Sequence, residues 1–323
     1  MCTAVTFHTK DHYFGRNLDL EYRYRETVTI TPRNYPFTFR NGTELKKHYA
    51  IIGMAMVTGG YPLYYDATNE HGLSIAGLNF PGNAVYQTRS VNLDNITPFE
   101  LIPWILCTCK SVAEAEKKLA RLSLWEHPFS DSLPLTPLHW LLADRERSLV
   151  IEPMNDGLQI HENPIGVLTN NPPFAHHMYH LSNYLQLTPY PPENRIAPGT
   201  GLPVYSRGMG AVGLPGDLSS SSRFVRAAFV KGHSHCGTTE AESVTQFFHI
   251  LGAVEQQEGC VRLENGFEKT VYSSCCNTDK GIYYYKTYEN SQITGVDMHR
   301  EDLDSCSVIS YPLLTQQQIR MEN

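Results

Sequence analysis

Four runs rich in β-branched or alternating apolar residues crowd the first eighty positions, at 3–7 (TAVTF), 27–31 (TVTIT), 50–57 (AIIGMAMV) and 73–78 (LSIAGL), with Gly, Asn and Pro turns between them. Runs of this kind are stable only when paired and packed, so this part of the chain must build a sheet. Between about 97 and 122 the period changes to that of helices. Pro98 is placed for a first turn, and Ser111-Val-Ala-Glu114 has the form of a capping box before AEKKLARL. Strands are expected again at 138–152, turning at Arg145 to Arg147, and at 165–169, followed by a helix at 174–187. Residues 188–217 hold six prolines and six glycines, a density that excludes a regular element and predicts a surface loop packed over something. Helices follow at about 220–231 and 239–256, the second opened by a Thr239-to-Glu242 capping box, and strands at 270–276 and 281–287 precede a polar tail. Strands, then helices, then strands, without strict βαβ alternation, predict an α+β layered fold in which two sheets are covered by helices on both outer faces. No linker divides the chain, so residues 1–323 are read as one domain.

The net charge of −7, with no Lys/Arg cluster longer than a pair, argues against a nucleic-acid partner, which needs clustered cations. No apolar run is long enough to span a membrane, and no signal-peptide pattern opens the chain; a cytoplasmic protein is expected. The eight cysteines have no CxxC pair and no regular spacing, which leaves them as thiols. For seven of them the expectation is a small buried hydrophobe.

Several motifs match without supporting chemistry. Gly208-Met-Gly210-Ala-Val-Gly213 fits a dinucleotide fingerprint, but Pro215 and Gly216 stand where its helix would have to run. His176, His177 and His180 share a helical spacing, and His233 and His235 lie close together, yet a third ligand at matching spacing is missing. They are read as surface histidines, and neither metal nor cofactor is expected. The serine run 219–222 has no neighbouring base and no GxSxG elbow.

Cys2 is different. A cysteine after the initiator Met has a side chain small enough for Met1 to be removed, which places a thiol and a free α-amine on one residue. That amine, with a pKa near 7.7–8.0, is suited to take a thiol proton and return it to a leaving group. From position alone a merely tolerated residue remains the better reading. Context changes this, because Gly15-Arg16-Asn17-Leu18-Asp19 can fold back as a hairpin beside residues 2–7 through a short connection at His12 to Tyr13. Arg16 would then stabilise a thiolate, and Asp19 would orient the α-ammonium.

The stretches Met1-Cys2-Thr3, Phe14-Gly-Arg-Asn-Leu-Asp19, Gly77-Leu-Asn-Phe-Pro81, Leu138-His-Trp140, Gly166-Val-Leu-Thr-Asn170, Gly213-Leu-Pro-Gly-Asp217, Ser222-Arg-Phe-Val-Arg226, Phe247-Phe-His-Ile-Leu251 and Gly281-Ile-Tyr-Tyr-Tyr occur in an order that resembles the choloylglycine hydrolase family. This group of bile salt hydrolases and penicillin V acylases lies within the N-terminal nucleophile hydrolases. The resemblance implies a four-layer αββα sandwich, often assembled as a homotetramer. It also implies that Cys2 is the nucleophile, that Arg16, Asp19, Asn170 and Arg223 occupy catalytic positions, and that Asn79 fills the remaining active-site position. The Asn170 amide and the Asn79 backbone N–H would form the oxyanion hole.

Within the family, Asn79 matches bile salt hydrolases, whereas penicillin V acylases more often carry Tyr there; a conjugated bile salt is the expected substrate. By family position Leu18, Thr58, Phe129 and Leu133 would line the acyl pocket. Arg207, in the long loop, would meet an anionic head group and favour taurine conjugates. Penicillin V acylase, acyl-homoserine lactone acylase and a non-catalytic binding protein on the same scaffold are the alternatives.

Overall fold

The computed structural model describes residues 1–264 and 266–323. Cys2–His8 and His12–Leu20 form an antiparallel hairpin whose turn lies at Thr9 to Asp11, not at His12 and Tyr13 as the sequence reading had it. Lys10 and Asp11 supply the polar turn, while His12 and Tyr13 are buried in the strand. Gly15 lies inside that strand because a Cβ there would come within 2.0 Å of the Ser274 carbonyl oxygen on the neighbouring strand.

This hairpin is the middle of the first sheet. Its spatial order is Val167–Leu168, Cys2–His8, His12–Leu20, Gly266–Asn277, Ile282–Thr287 and Thr294–Asp297, with Val261–Leu263 added on Gly266–Asn277. The second sheet runs Gly157–Glu162, Ser148–Met154, Leu138–Ala143, Ser74–Asn79, Tyr61–Asn69, Ile51–Thr58, Thr27–Thr31 and Ile309–Pro312. Both are antiparallel throughout the described residues.

Helices α1 (Leu101–Leu106) and α2 (Val112–Leu119) cover the outer face of the second sheet around Ile75, Trp140 and Ile151. Helices α3 (Phe174–Leu181), α4 (Ser220–Gly232) and α5 (Glu240–Gly252) cover the outer face of the first, with Phe224 and Phe247 in its core. The result is the αββα order expected. Helix α5 has its complete capping box, but α2 has only half of one. Ser111 accepts the Glu114 N–H, while the Glu114 carboxylate instead takes the N–H of Lys110. Residues 188–217 carry no helix or strand beyond one short 3-10 turn at Met209–Ala211, where Gly208 takes a left-handed φ of 81°.

Candidate active site

In an antiparallel pair, residues directly opposite share a face, and the face alternates along each strand. Cys2 stands opposite Leu18 and Ala4 opposite Arg16, so Cys2, Leu18 and Arg16 face the second sheet. Thr3, Asn17 and Asp19 face the helices. The three-residue spacing between Arg16 and Asp19 therefore delivers the two charges to opposite sides of the strand that flanks Cys2.

Arg16 reaches across the space between the sheets. Pairing of Tyr61–Asn69 with Ser74–Asn79 stops at Asp66 opposite Ala76, and the guanidinium enters where the two strands part company. Its Nη1 donates to the carbonyls of Gly77 at 2.5 Å and Tyr65 at 3.1 Å, while the buried Nη2 has no partner. Burial works against its charge, but the Cys2 thiol, Tyr272, Asp66 and Asp19 around it hold its pKa above the ordinary arginine value.

Asp19 is fully buried. Its Oδ1 accepts from Thr270 Oγ1 at 2.6 Å, and its Oδ2 has no hydrogen-bond partner, lying 4.0 Å from Arg223 Nη1. Burial pushes this carboxyl up, against the pull of Arg223 and the chain's amino terminus. Arg223 comes from α4, whose start is fastened by Asp217. That carboxylate accepts the Ser219 N–H at 2.9 Å and the Ser222 hydroxyl at 2.6 Å, bonds that draw its pKa down to about 2. Arg223 itself is wholly buried, and burial lowers its pKa against Asp19 and Cys2.

Asn170 joins these groups. Its Oδ1 accepts the Cys2 N–H at 2.7 Å and Arg223 Nη2 at 2.8 Å, while Nδ2 donates to the Asn79 carbonyl at 2.8 Å. Two donors on one atom and an acceptor on the other fix which way the amide points. Arg223 Nη1 also donates to the Cys2 carbonyl at 2.5 Å and to Thr3 Oγ1 at 2.6 Å. The peptide N–H of Phe80 donates to the Pro137 carbonyl, so Asn79, opposite Leu138, sits in a non-hydrogen-bonded pair. Its own N–H and C=O accordingly point away from that neighbour, and the C=O accepts from Asn170. With Met1 in place, the terminal amine donates to the Asp19 carbonyl at 2.8 Å and pairs with Glu268.

The pocket residues divide. Leu18 is 4% exposed and lies across from Cys2 in the core. Thr58 ends its strand opposite Tyr61, whose ring lies 5.8 Å from that of Phe129; Phe129 also packs on Phe99 at 5.2 Å. Leu133 is half-buried and closes a turn with Ser130 in the same loop. Arg207 stands exposed on the long arm. Tyr61 and Phe99 were not picked out from sequence, since neither lies in a recognisable motif. His177, read from sequence as part of a surface cluster, is instead buried: it stacks on Phe224 at 4.8 Å and bonds the Asn170 carbonyl at 2.9 Å. Burial lowers its pKa to about 4. Among the described residues no three His, Cys, Asp or Glu side chains are grouped to hold a metal ion, and no helix is long and apolar enough to cross a membrane.

A family model described as linear amide C–N hydrolases, choloylglycine hydrolase family, matches residues 2–311. The chain is 54% identical to a bile salt hydrolase/transferase of Lactiplantibacillus plantarum, over 98% of each chain, and 37% identical to one of Clostridium perfringens, over 96% of each. Its structure superposes on that of the C2A mutant of the conjugated bile acid hydrolase from Clostridium perfringens with a TM-score of 0.92, at 35% identity and full coverage of both chains. A penicillin V acylase from Agrobacterium tumefaciens shares the fold, with a TM-score of 0.74 at 19% identity over 96% of this chain and 90% of that one. Cysteine, paired arginines and asparagines thus converge in a chain that is a hydrolase of linear amides and belongs to the choloylglycine hydrolase family.

Proposed function

We propose that this enzyme cleaves the amide bond of glycine- or taurine-conjugated bile salts with Cys2 as nucleophile, after loss of Met1. The observation that carries this reading is the convergence of Asn170 and Arg223 on the Cys2 backbone, with Arg16 on the side-chain face and Asp19 on the other. The names of the relatives supply the substrate class. Asn79, matching the bile salt branch, favours it over penicillin V.

On this reading the α-amine of Cys2 takes the thiol proton, and the thiolate attacks the amide carbonyl. The unpartnered Asp19 Oδ2 and the Asn170 Oδ1 are acceptors for the resulting ammonium. Arg16, with its free Nη2, and Arg223 favour the thiolate. As the carbonyl oxygen becomes an oxyanion, the second N–H of Asn170 Nδ2 and the Asn79 backbone N–H are its donors. The ammonium protonates the departing glycine or taurine nitrogen, and a water activated by the amine hydrolyses the thioester. No cofactor takes part.

Thr58, Phe129 and Leu133, with Tyr61 and Phe99, form the apolar rim for the steroid; Leu18 backs Cys2. Arg207 meets the anionic head group and favours taurine. Both sheets share one core, which supports a single catalytic domain over 1–323. All eight cysteines are free, in keeping with a cytoplasmic setting. The arm around 185–212 exposes Leu185, Ile196 and Tyr205, at 85%, 91% and 81%, which supports their burial between copies in a homotetramer.

The test is intact mass with N-terminal identification, followed by ninhydrin detection of amino acid released from glycocholate and taurocholate. Loss of Met1 with release, and no release by Cys2→Ala, is expected. Release by the Cys2→Ala protein would sink the nucleophile. A wild-type protein lacking Met1 that releases nothing from either conjugate would redirect the substrate to penicillin V or acyl-homoserine lactones.

A further inference from the structure

Beneath the Asn79–Asn170 contact lies a buried polar cluster that none of these steps uses. His139 is fully buried on the inner face of the second sheet, opposite Leu78. Its ring stacks on Phe80, the residue after Asn79, with centroids 4.2 Å apart and planes within 5°. Its Nε2 lies 2.8 Å from the carbonyl of Thr169, the residue before Asn170. Its Nδ1 lies 3.1 Å from Glu152 Oε1, and that same oxygen accepts the Phe174 N–H at 3.0 Å where α3 begins.

A neutral imidazole carries one N–H, yet both nitrogens of His139 face oxygen acceptors. The Thr169 carbonyl can only accept, so Nε2–H is the donor there and the proton of the other contact lies between Nδ1 and Glu152, which fixes the orientation of the ring.

We propose that His139, oriented by Glu152, is a positioning residue that holds Asn79 and Asn170 at the spacing an oxyanion requires. The two asparagines come from different sheets: Asn79 ends a strand of the second, and Asn170 follows the Val167–Leu168 edge strand of the first. One ring bridges both segments, by stacking on Phe80 and by bonding Thr169. Oxyanion donors act only within a few tenths of an ångström of 2.7–3.1 Å, so a brace between separately folded strands affects the transition state more than the resting enzyme. The inference rests on reading Asn79 and Asn170 as the oxyanion donors.

Two reactions at Cys2 separate this role from general support. With p-nitrophenyl acetate the thiolate attacks the ester carbonyl, passes through an oxyanion, expels p-nitrophenolate and leaves a thioester. With iodoacetamide it displaces iodide at carbon, and no oxyanion forms. Both are followed at Cys2 by peptide mass, because Cys236, Cys260 and Cys306 are exposed and also react. His139→Asn, too short to reach Thr169, is expected to slow acylation by about tenfold or more while alkylation stays within about twofold. His139→Gln, whose amide reaches further, is expected to recover most of the acylation rate, which also covers the case of an Asn variant that fails to fold. Unchanged acylation in His139→Asn, equal slowing of both reactions, or a Gln variant no faster than Asn would overturn the proposal. Neither reagent is a bile salt, so a wild-type enzyme that acylates normally but releases nothing from glycocholate refutes the substrate and leaves this inference standing.

Discussion

Asn170 Oδ1 accepts the backbone N–H of Cys2 at 2.7 Å across 168 residues of sequence. The same oxygen accepts a hydrogen bond from Arg223 Nη2, and the amide nitrogen beside it donates to the Asn79 carbonyl. One side chain thus ties the N-terminal residue, helix α4 and the end of a second-sheet strand together. An amide suits the position because it accepts on one side and donates on the other.

Asn170→Ala tests that junction. On the proposed mechanism it removes an oxyanion donor, and it leaves buried donors of Arg223 and Cys2 without an acceptor. A fall in kcat of about 10²–10³ is expected from the first effect, and a loss of about 1–3 kcal/mol in stability from the second. Steady-state kinetics beside urea denaturation separates them; a kcat within threefold of wild type would remove Asn170 from the oxyanion hole.

Arg207→Gly tests head-group recognition. An exposed guanidinium pairs with a sulfonate or a carboxylate only in the bound complex, so its loss should raise KM for taurocholate and lower the taurine-to-glycine ratio of kcat/KM, with the melting temperature unchanged. An identical ratio in the two proteins ends the proposal of a taurine preference.

The layer order was legible because strands such as Thr27–Thr31, with three threonines among two buried aliphatics, fit nothing but a sheet. Tyr61–Asn69 escaped notice, since Pro62 argues against a strand and the ladder with Ile51–Thr58 slips at Met54 and Ala55, breaking the alternation a sequence would display. Gly15 is a contact point between strands, where a Cβ would meet the Ser274 carbonyl, and nothing local in the sequence announces that. Cys2, Arg16 and Asp19 were locally readable, being neighbours across one hairpin. Asn79, Asn170 and Arg223 came only through family resemblance, because contacts spanning 53 to 221 residues leave no local pattern. The burial of His177 was missed for the same reason: nothing in its spacing distinguishes it from its exposed neighbour His176.

Assembly through the arm predicts that an acidic residue at its tip dissociates the particle. Ile196→Asp with Tyr205→Asp should shift the sedimentation coefficient from a multimer to a smaller species while far-UV circular dichroism is kept, because neither side chain supports the fold of its own chain. Wild-type protein that already sediments as a monomer would refute the homotetramer directly.

Acid should weaken this fold from a defined pH, and His12 is the clearest contributor. It is 1% exposed, bonds Thr278 Oγ1 at 2.9 Å, and burial lowers its pKa to about 3 from an ordinary value of 6.5. A lowered pKa means that the folded chain binds fewer protons than the unfolded chain, so the effect is absent above about pH 6.5 and grows as pH falls toward 3. The slope is about 1.4 kcal/mol per pH unit for one such group, or roughly 2 kcal/mol between pH 6.5 and 5. His177, lowered to about 4 by burial, acts in the same direction. Urea denaturation of wild type and His12→Gln at pH 7, 6 and 5 measures this: the variant starts less stable but should lose stability less steeply. Parallel lines for the two proteins would mean that His12 is protonated in the folded state, and that the acid sensitivity arises elsewhere.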